Sequence, residues 1–306
     1  MSWRIVALLG VGTLLLGGAS SRAAAPRALE WKQAAPLPVP RSEVAAATVG
    51  KELVIVGGFM ADGRSSKRVD AYSPAKNRWR RLPDLPVAVN HAMAAAAGKQ
   101  LYVVGGYGAP TRAFLLSKGR WRRLPNLPAP RAAAGAAIVG RTLYVIGGVA
   151  SGGVARNALA FDHVRRRWSV IPGPKPREHL GVSALGNRVY AVAGREAGVN
   201  FDALQAYDPK RRRWTTLPPV PETRGGTDSA AVGSLLVSAG SESSAGTSAA
   251  VYAYDTRARA WSRLPDLPTA RHGLGVLAFG GRVYVIGGGP TPGLSVSGAN
   301  EYLQLR

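Results

Sequence analysis

Six tryptophans recur along the chain at nearly constant intervals. Apart from Trp3, they follow one another 42 to 48 residues apart: Trp31, Trp79, Trp121, Trp168, Trp214 and Trp261. A pair of small residues follows each of them after 25 or 26 positions: Gly57-Gly58, Gly105-Gly106, Gly147-Gly148, Ala193-Gly194, Ala239-Gly240 and Gly287-Gly288. An aromatic residue precedes five of them by seven positions: Tyr72, Phe114, Phe161, Tyr207 and Tyr254. Three features that repeat together at this interval indicate a repeat architecture.

Each repeat contains four predicted strands. The first is made of small residues, as in 92–97, and the second, as in Gln100–Val104, ends at the small pair. The third carries the aromatic residue and the fourth the tryptophan, and a Leu-Pro or Ile-Pro step then ends the repeat. Repeats of four short strands, with abundant Gly and Pro at the turns, predict an all-β propeller with one repeat per blade.

The two ends of the chain predict how the ring closes. The last repeat has Gly287-Gly288 and Tyr302 but no tryptophan strand, while an isolated tryptophan strand lies at 29–33. We therefore expect this N-terminal strand to complete the last blade as its outer strand, which removes a free sheet edge. Residues 26–306 are then one domain, a six-bladed β-propeller.

The small pair, the later aromatic residue and the tryptophan are similar to the kelch-repeat signature, and the resemblance covers 29–306. Two repeats depart from it, with Ala193 and Ala239 in place of the first glycine. The resemblance implies a kelch propeller whose channel mouth can bind acidic peptide motifs. It extends distantly to the propeller domain of galactose oxidase and to sialic-acid mutarotase. The former needs a Cys–Tyr crosslink, and this chain has no cysteine, so galactose oxidase chemistry is excluded.

Residues 1–25 are predicted to be a signal peptide. Arg4 precedes an apolar run at 5–16, and small residues dominate 17–25. We therefore expect an exported protein, periplasmic or secreted, with an uncleaved membrane anchor as the alternative. No later apolar run reaches the ~18 residues of a membrane helix. We also expect a monomer.

Charge is strongly unbalanced, with 40 Lys and Arg against 17 Asp and Glu. Eighteen basic residues flank the predicted turns into the tryptophan strands, on what we call the bottom face: Lys76, Arg78, Arg80, Arg81, Lys118, Arg120, Arg122, Arg123, Arg165, Arg166, Arg167, Lys210, Arg211, Arg212, Arg213, Arg257, Arg259 and Arg263. Such a rim attracts anionic polymers, although an Arg-rich chain also uses arginine as an ordinary solvated residue. No aromatic residues are available for base stacking, so sequence-specific nucleic-acid binding is not expected.

The opposite face, the top face, carries the variable loops that follow the small pairs. Near the start of each first strand there is an arginine, or His91 in the second repeat. We predict that these residues form a ligand-binding ring at the channel mouth that grips a carboxylate or phosphate: Arg41, His91, Arg131, Arg177, Arg224 and Arg271. The alternative is that the arginines brace loop carbonyls.

Glu43, Glu178 and Glu222 near the same rim are weak candidates for general acid–base groups. The histidines lie in separate repeats without metal-ligand spacing, so no metal or cofactor is predicted. The sequence thus favours a non-enzymatic module that binds a protein or an acidic glycan. The alternative is a carbohydrate-active enzyme, mutarotase- or epimerase-like, acting on an acidic sugar.

Overall fold

The computed structural model describes residues 29–305. The predicted signal peptide at 1–25 lies outside the described residues. Within the described range the regular structure is β-strand, and no helix there is long and apolar enough to span a membrane.

The described chain contains thirty strands. The N-terminal strand is β1 (Trp31–Gln33), and blade 1 consists of β2 (Ala45–Val49), β3 (Glu52–Val56), β4 (Val69–Ser73) and β5 (Arg78–Arg81). Blade 2 consists of β6 (Met93–Ala97), β7 (Gln100–Val104), β8 (Ala113–Ser117) and β9 (Arg120–Arg123). Blade 3 contains β10 (Gly135–Val139), β11 (Thr142–Ile146), β14 (Asn157–Asp162) and β15 (Arg167–Pro172), with a top-face hairpin of β12 (Val149–Ala150) and β13 (Gly153–Val154).

Blades 4 and 5 have the same plan. Blade 4 contains β16 (Gly181–Leu185), β17 (Arg188–Val192), β20 (Leu204–Asp208) and β21 (Arg213–Leu217), with the hairpin β18 (Arg195–Glu196) and β19 (Val199–Asn200). Blade 5 contains β22 (Asp228–Val232), β23 (Leu235–Ala239), β26 (Val251–Asp255) and β27 (Ala260–Leu264), with the hairpin β24 (Glu242–Ser243) and β25 (Gly246–Thr247). Blade 6 begins with β28 (Gly275–Phe279), β29 (Arg282–Ile286) and β30 (Asn300–Gln304).

The N-terminal strand closes the ring. The sixth sheet has the order β1-β30-β29-β28, and Trp31 lies opposite Leu303 in an antiparallel register. Every blade is therefore a four-stranded antiparallel sheet, and the predictions of six blades and of N-terminal closure are confirmed.

The hydrophobic core is divided among the blade interfaces. Six clusters of buried residues each join two neighbouring blades, as where Val54 of blade 1 and Val103 of blade 2 belong to one cluster. Neighbouring first strands line the channel, where alanines and glycines let the blades approach closely. The propeller is held together by apolar packing between sheets.

The tryptophans form an outer ring of hydrogen bonds. Each indole Nε1–H donates to the carbonyl four residues after the tryptophan of the preceding blade, as Trp121 does to Pro83 at 2.8 Å. The same bond recurs at Trp31, Trp79, Trp168, Trp214 and Trp261. The indoles are half-buried and tie each outer edge to its neighbour.

The glycine pairs lie where the backbone passes too close to a neighbouring loop for a side chain. A Cβ at Gly105 would lie 2.4 Å from the Arg131 carbonyl oxygen, and one at Gly58 would lie 2.5 Å from that of Ser42. Both glycines have positive φ. The backbone thus passes close to the loops between blades at these glycines.

Blade 2 also differs in register. Its third and fourth strands are joined by a shorter turn, so Leu116, and not Phe114, lies opposite Trp121. Phe114 still contacts the indole edge to face, with ring centroids 6.5 Å apart.

Candidate functional site at the channel mouth

Six residues with left-handed backbone conformation surround the channel at its top. Each blade contributes one, with φ between +49° and +70°: Glu43, His91, Ala133, His179, Gly226 and Gly273. From the second onward, each backbone N–H donates to the carbonyl of the preceding member at 2.8–3.1 Å. Val44 N–H closes the circle to the Gly273 carbonyl at 3.4 Å. This inner ring fixes six side-chain positions around one small opening.

Three of these positions carry chemically active side chains in spite of their backbone conformation. A left-handed conformation costs a non-glycine residue roughly 1–2 kcal/mol, and three blades place only glycine or alanine there. Glu43, His91 and His179 are the exceptions. Strain of this kind is found preferentially at functional sites.

Glu43 lies at the centre of a cluster of histidines. Its Oε2 is 3.2 Å from His91 Nε2 and 3.8 Å from His179 Nε2. Its Oε1 is 3.2 Å from His272 Nδ1. The carboxylate therefore contacts three imidazoles contributed by three other blades.

The remaining ring nitrogen of each histidine faces an oxygen. His91 Nδ1 lies 2.6 Å from Asn90 Oδ1, and His272 Nε2 lies 3.1 Å from the Thr291 carbonyl oxygen. His179 Nδ1 contacts the carboxylate of Glu178. These partners hold the rings in place.

Arg195 links two further carboxylates to the cluster. Its Nε donates to Glu178 Oε1 at 3.0 Å, and its NH1 donates to Glu242 Oε1 at 2.7 Å. The other Glu242 oxygen accepts the Gly293 N–H and lies 3.4 Å from His272 Nδ1.

Burial and the neighbouring charges set the protonation of the cluster. Burial raises the pKa of Glu43, but the histidines around it outweigh this effect and hold its pKa well below the usual range. Burial lowers the pKa of His91, and it lowers that of His179 to about 3 although Glu43 opposes the shift. For His272, burial is outweighed by Glu43 and Glu242, so its pKa is raised. At neutral pH an ionised Glu43 therefore faces neutral His91 and His179.

Two cavities meet at this cluster. Above it, a bowl of about 450 Å³ has Phe59, Tyr107 and Leu294 in its walls and Glu43, His91, His179, Arg195, Glu242 and His272 in its floor. Below it, a cavity of about 110 Å³ in the channel is lined by the inner ring and by Asp228. Burial raises the pKa of Asp228 to about 7.

The five arginines of the predicted ring lie outside both cavities. Arg41, Arg131, Arg177, Arg224 and Arg271 are each at most 1% exposed. Their guanidinium groups point into their own blades: Arg41 donates to the Gly57 and Arg68 carbonyls at 2.9 Å, and Arg271 donates to that of Gly287 at 2.6 Å. This is the carbonyl-bracing arrangement, which satisfies buried acceptors and leaves a ligand no exposed surface on these side chains. A ligand-binding role for these five arginines stays a prediction.

The other sequence candidates are divided between the cluster and the surface. His91, Glu43 and Glu178 belong to the cluster, whereas Glu222 lies apart, half-exposed, 3.8 Å from Arg224 and 3.4 Å from Ser248. Sequence reasoning named no role for Glu242 and no shared site for His179 and His272. The repeat alignment could have indicated this site, because Glu43, His91 and His179 occupy the same position in their repeats.

All eighteen basic residues named for the bottom face are exposed. Some are paired with acids: Arg80 with Glu52, and Arg263 with Asp266. A role in binding anionic polymers stays a prediction.

Comparison with known protein families agrees with the repeat architecture. The model of the KLHDC2/KLHL20/DRC7 Kelch-repeats domain matches residues 113–289, more than half of the chain. The Kelch motif model matches residues 40–86. No curated protein matches the chain. With its six four-stranded blades, the chain belongs to the kelch-repeat family.

Proposed function

We propose that this chain is an exported binding module that takes a segment of a protein partner into the bowl on its top face. Kelch propellers generally bind proteins. The observation that carries the proposal is an apolar rim above a polar floor. Tyr107 is 43% exposed and Leu294 is 56% exposed, and together with Phe59 they wall the bowl.

The composition of the bowl suits recognition of a side chain. Aromatic residues and an arginine around a partly desolvated centre are typical of the residues that dominate binding energy. A volume of about 450 Å³ accommodates one or two side chains of an extended segment. Covering Tyr107 and Leu294 removes apolar surface from water, and the floor supplies hydrogen-bonding groups for specificity.

The charges of the floor indicate the chemistry of the partner. Glu43 and Glu242 belong to the floor, and Glu178 contacts the floor residues His179 and Arg195. These three carboxylates are accompanied by one arginine, Arg195, and by His272, whose pKa is raised. With His91 and His179 neutral, the floor carries an excess of negative charge. An apolar anchor next to an amide or a cation therefore suits the bowl better than a carboxylate does. An acidic glycan is correspondingly disfavoured.

The export part of the proposal is supported by the basic, apolar and small-residue segments of 1–25. It predicts that protein recovered outside the cytoplasm begins between residues 20 and 26. An N-terminal sequence that still contains the apolar run 5–16 would contradict it.

The binding function is tested with the exported protein and a displayed library of random peptides. Affinities of the enriched peptides are measured for Tyr107→Ser/Leu294→Ser and for a matched control, Val164→Ser/Val170→Ser, whose valines are exposed away from the bowl. We expect at least ~10-fold weaker binding by the bowl variant and parental binding by the control, because loss of central apolar contacts costs more than about 1 kcal/mol.

Equal binding by both variants would place recognition elsewhere. Binding of acidic oligosaccharides in a parallel array without any peptide enrichment would overturn the assignment to a protein partner.

A further inference from the structure

We propose that Glu43, His91 and His179 bind a divalent transition-metal ion at the channel mouth. The inference rests on the positions of these side chains, and the charge argument for the proposed partner applies to the metal-free floor. It adds a metal site to a chain whose sequence shows no metal-ligand spacing.

The donor atoms already lie at distances suited to coordination. Glu43 Oε2 is 3.2 Å from His91 Nε2 and 3.8 Å from His179 Nε2, and the three donors lie within 4.8 Å of one another. Ligands about 2.0–2.1 Å from a tetrahedral zinc ion are roughly 3.3 Å apart. Small movements of the side chains would bring the wider separations to this value.

The Nδ1 atoms of His91 and His179 face other residues, so the Nε2 atoms are left to bind a metal ion. The Asn90 amide donates its Nδ2–H to Ser65 Oγ at 2.7 Å, so its Oδ1 is the atom that faces His91 Nδ1. His91 Nδ1 therefore carries the proton, and Nε2 directs a lone pair at Glu43. His179 Nδ1 contacts the Glu178 carboxylate, and Nε2 is the nitrogen on the side of Glu43.

Lone pairs that face a carboxylate at these distances repel one another unless a cation lies between them. A divalent metal ion held between the three donor atoms would remove this repulsion. A second ring nitrogen held by a carboxylate or a carbonyl is also the usual environment of a metal-binding histidine. The paired oxygens of Asn90 and Glu178 supply this outer layer.

His272 and Glu242 act as positioning residues for Glu43. His272 Nδ1 lies between Glu43 Oε1 and Glu242 Oε2, at 3.2 and 3.4 Å, while its Nε2 donates to the Thr291 carbonyl. This contact engages one Glu43 oxygen and leaves the other for the metal. Glu43, Glu178 and Glu242 outnumber Arg195 in the cluster, and this excess of carboxylates suits a bound cation.

The donor set also indicates the class of metal. Two imidazoles and a carboxylate without a thiolate suit zinc, iron, nickel or copper, whereas calcium and magnesium prefer oxygen ligands throughout. Three protein donors leave coordination positions open. These positions face the bowl above and the channel below.

The test uses the full exported protein stripped with a chelator and then titrated with Zn²⁺ and with Co²⁺. We expect one Zn²⁺ per chain with a Kd below about 10 μM, and visible absorption from Co²⁺ in a nitrogen–oxygen site. His91→Gln and His179→Gln should each weaken Zn²⁺ binding at least ~10-fold. His163→Gln is the matched control, because His163 lies in a bottom-face turn beside Tyr102.

A second pair of variants tests whether loss of Zn²⁺ binding results from misfolding. His91→Gly and His179→Gly keep the backbone conformation that Gly226 and Gly273 adopt at equivalent positions. They should melt like the chelated parent and still lose Zn²⁺ and the Co²⁺ spectrum. Parental Zn²⁺ affinity in the His91 and His179 variants, or no binding by the parent at 100 μM, would overturn the proposal.

Discussion

Trp31 donates its indole Nε1–H to the carbonyl oxygen of Pro265 at 2.8 Å, across 234 residues of sequence. This bond completes the outer ring of tryptophan bonds, and the pairing of β1 with β30 completes the sixth blade beside it. The two ends of the described chain therefore share one sheet, so the stability of the ring depends on a strand of three residues.

Deleting 29–33 should destabilise the protein more than any single tryptophan substitution. The deletion exposes the edge of β30 and uncovers Leu303, which is fully buried. We expect a thermal transition lowered by at least ~10 °C, on the scale of several kcal/mol for a domain of this size. Trp31→Phe is the matched variant, since it keeps the strand and an aromatic ring, loses one hydrogen bond and part of the indole's packing, and should cost about 1–2 kcal/mol. Equal melting of the deletion variant and the parent would refute closure by β1.

Trp121→Ala should cost about 3 kcal/mol in the free energy of unfolding. That is the lower end of the range for a buried tryptophan, because the indole is half-buried against the core shared by blades 1 and 2. Urea denaturation measures the loss. Arg122→Ala, an exposed neighbour on the same strand, should change stability by less than ~0.5 kcal/mol. A similar effect of both substitutions would mean that the tryptophan does not join the blades.

The repeat made the blades predictable because all three of its features mark positions within one sheet. Trp79 and Tyr72 lie opposite each other on paired strands, so the hairpin that joins the two strands fixes their spacing of seven residues. Closure was predictable for the same reason, since β1 and β30 are the missing parts of one pattern.

The site was not predictable in this way. Glu43 meets His91, His179 and His272 only when the ring closes, and sequence spacing says nothing about which inner-ring side chains converge. The sequence also does not show whether a side chain near the channel mouth points into the channel or into its own blade. Arg177 lies two residues before His179 near the channel mouth, yet it turns outward because carbonyls in its own blade need donors.

Arg177→Ala should lower the free energy of unfolding by at least about 3 kcal/mol, because it leaves several buried acceptors without a donor. The guanidinium donates to the Lys175 carbonyl at 2.9 Å, to the Ala191 carbonyl at 3.1 Å and to Gln205 Oε1 at 2.7 Å. Arg213→Ala removes an exposed arginine and should be nearly neutral. If the two variants unfolded at the same urea concentration, Arg177 would not be a brace, and it would again be a candidate for ligand binding.

Asp228→Asn should remove a pH dependence of stability between about pH 4 and pH 7. Burial raises the pKa of Asp228 to about 7, so the folded state keeps a proton that the unfolded chain releases near pH 4. Between these values the folded state binds more protons, and the stability contributed by this group falls as pH rises. Asparagine stays neutral and keeps an acceptor for the Val276 N–H, which Asp228 binds at 2.9 Å.

Because the half-buried Asp228 side chain borders the channel cavity, we expect the variant to gain about 2 kcal/mol over the parent above pH 7, less than a full shift of ~3 pKa units implies. Below pH 4 the two proteins should be equally stable, since the carboxyl group is then protonated in both states. Urea unfolding of parent and variant across this pH range measures the difference. His179 contributes a slope of the opposite sign, because its pKa is lowered to about 3, but that contribution is common to both proteins and cancels. A difference between parent and variant that does not change with pH would show that Asp228 is ionised in the folded protein.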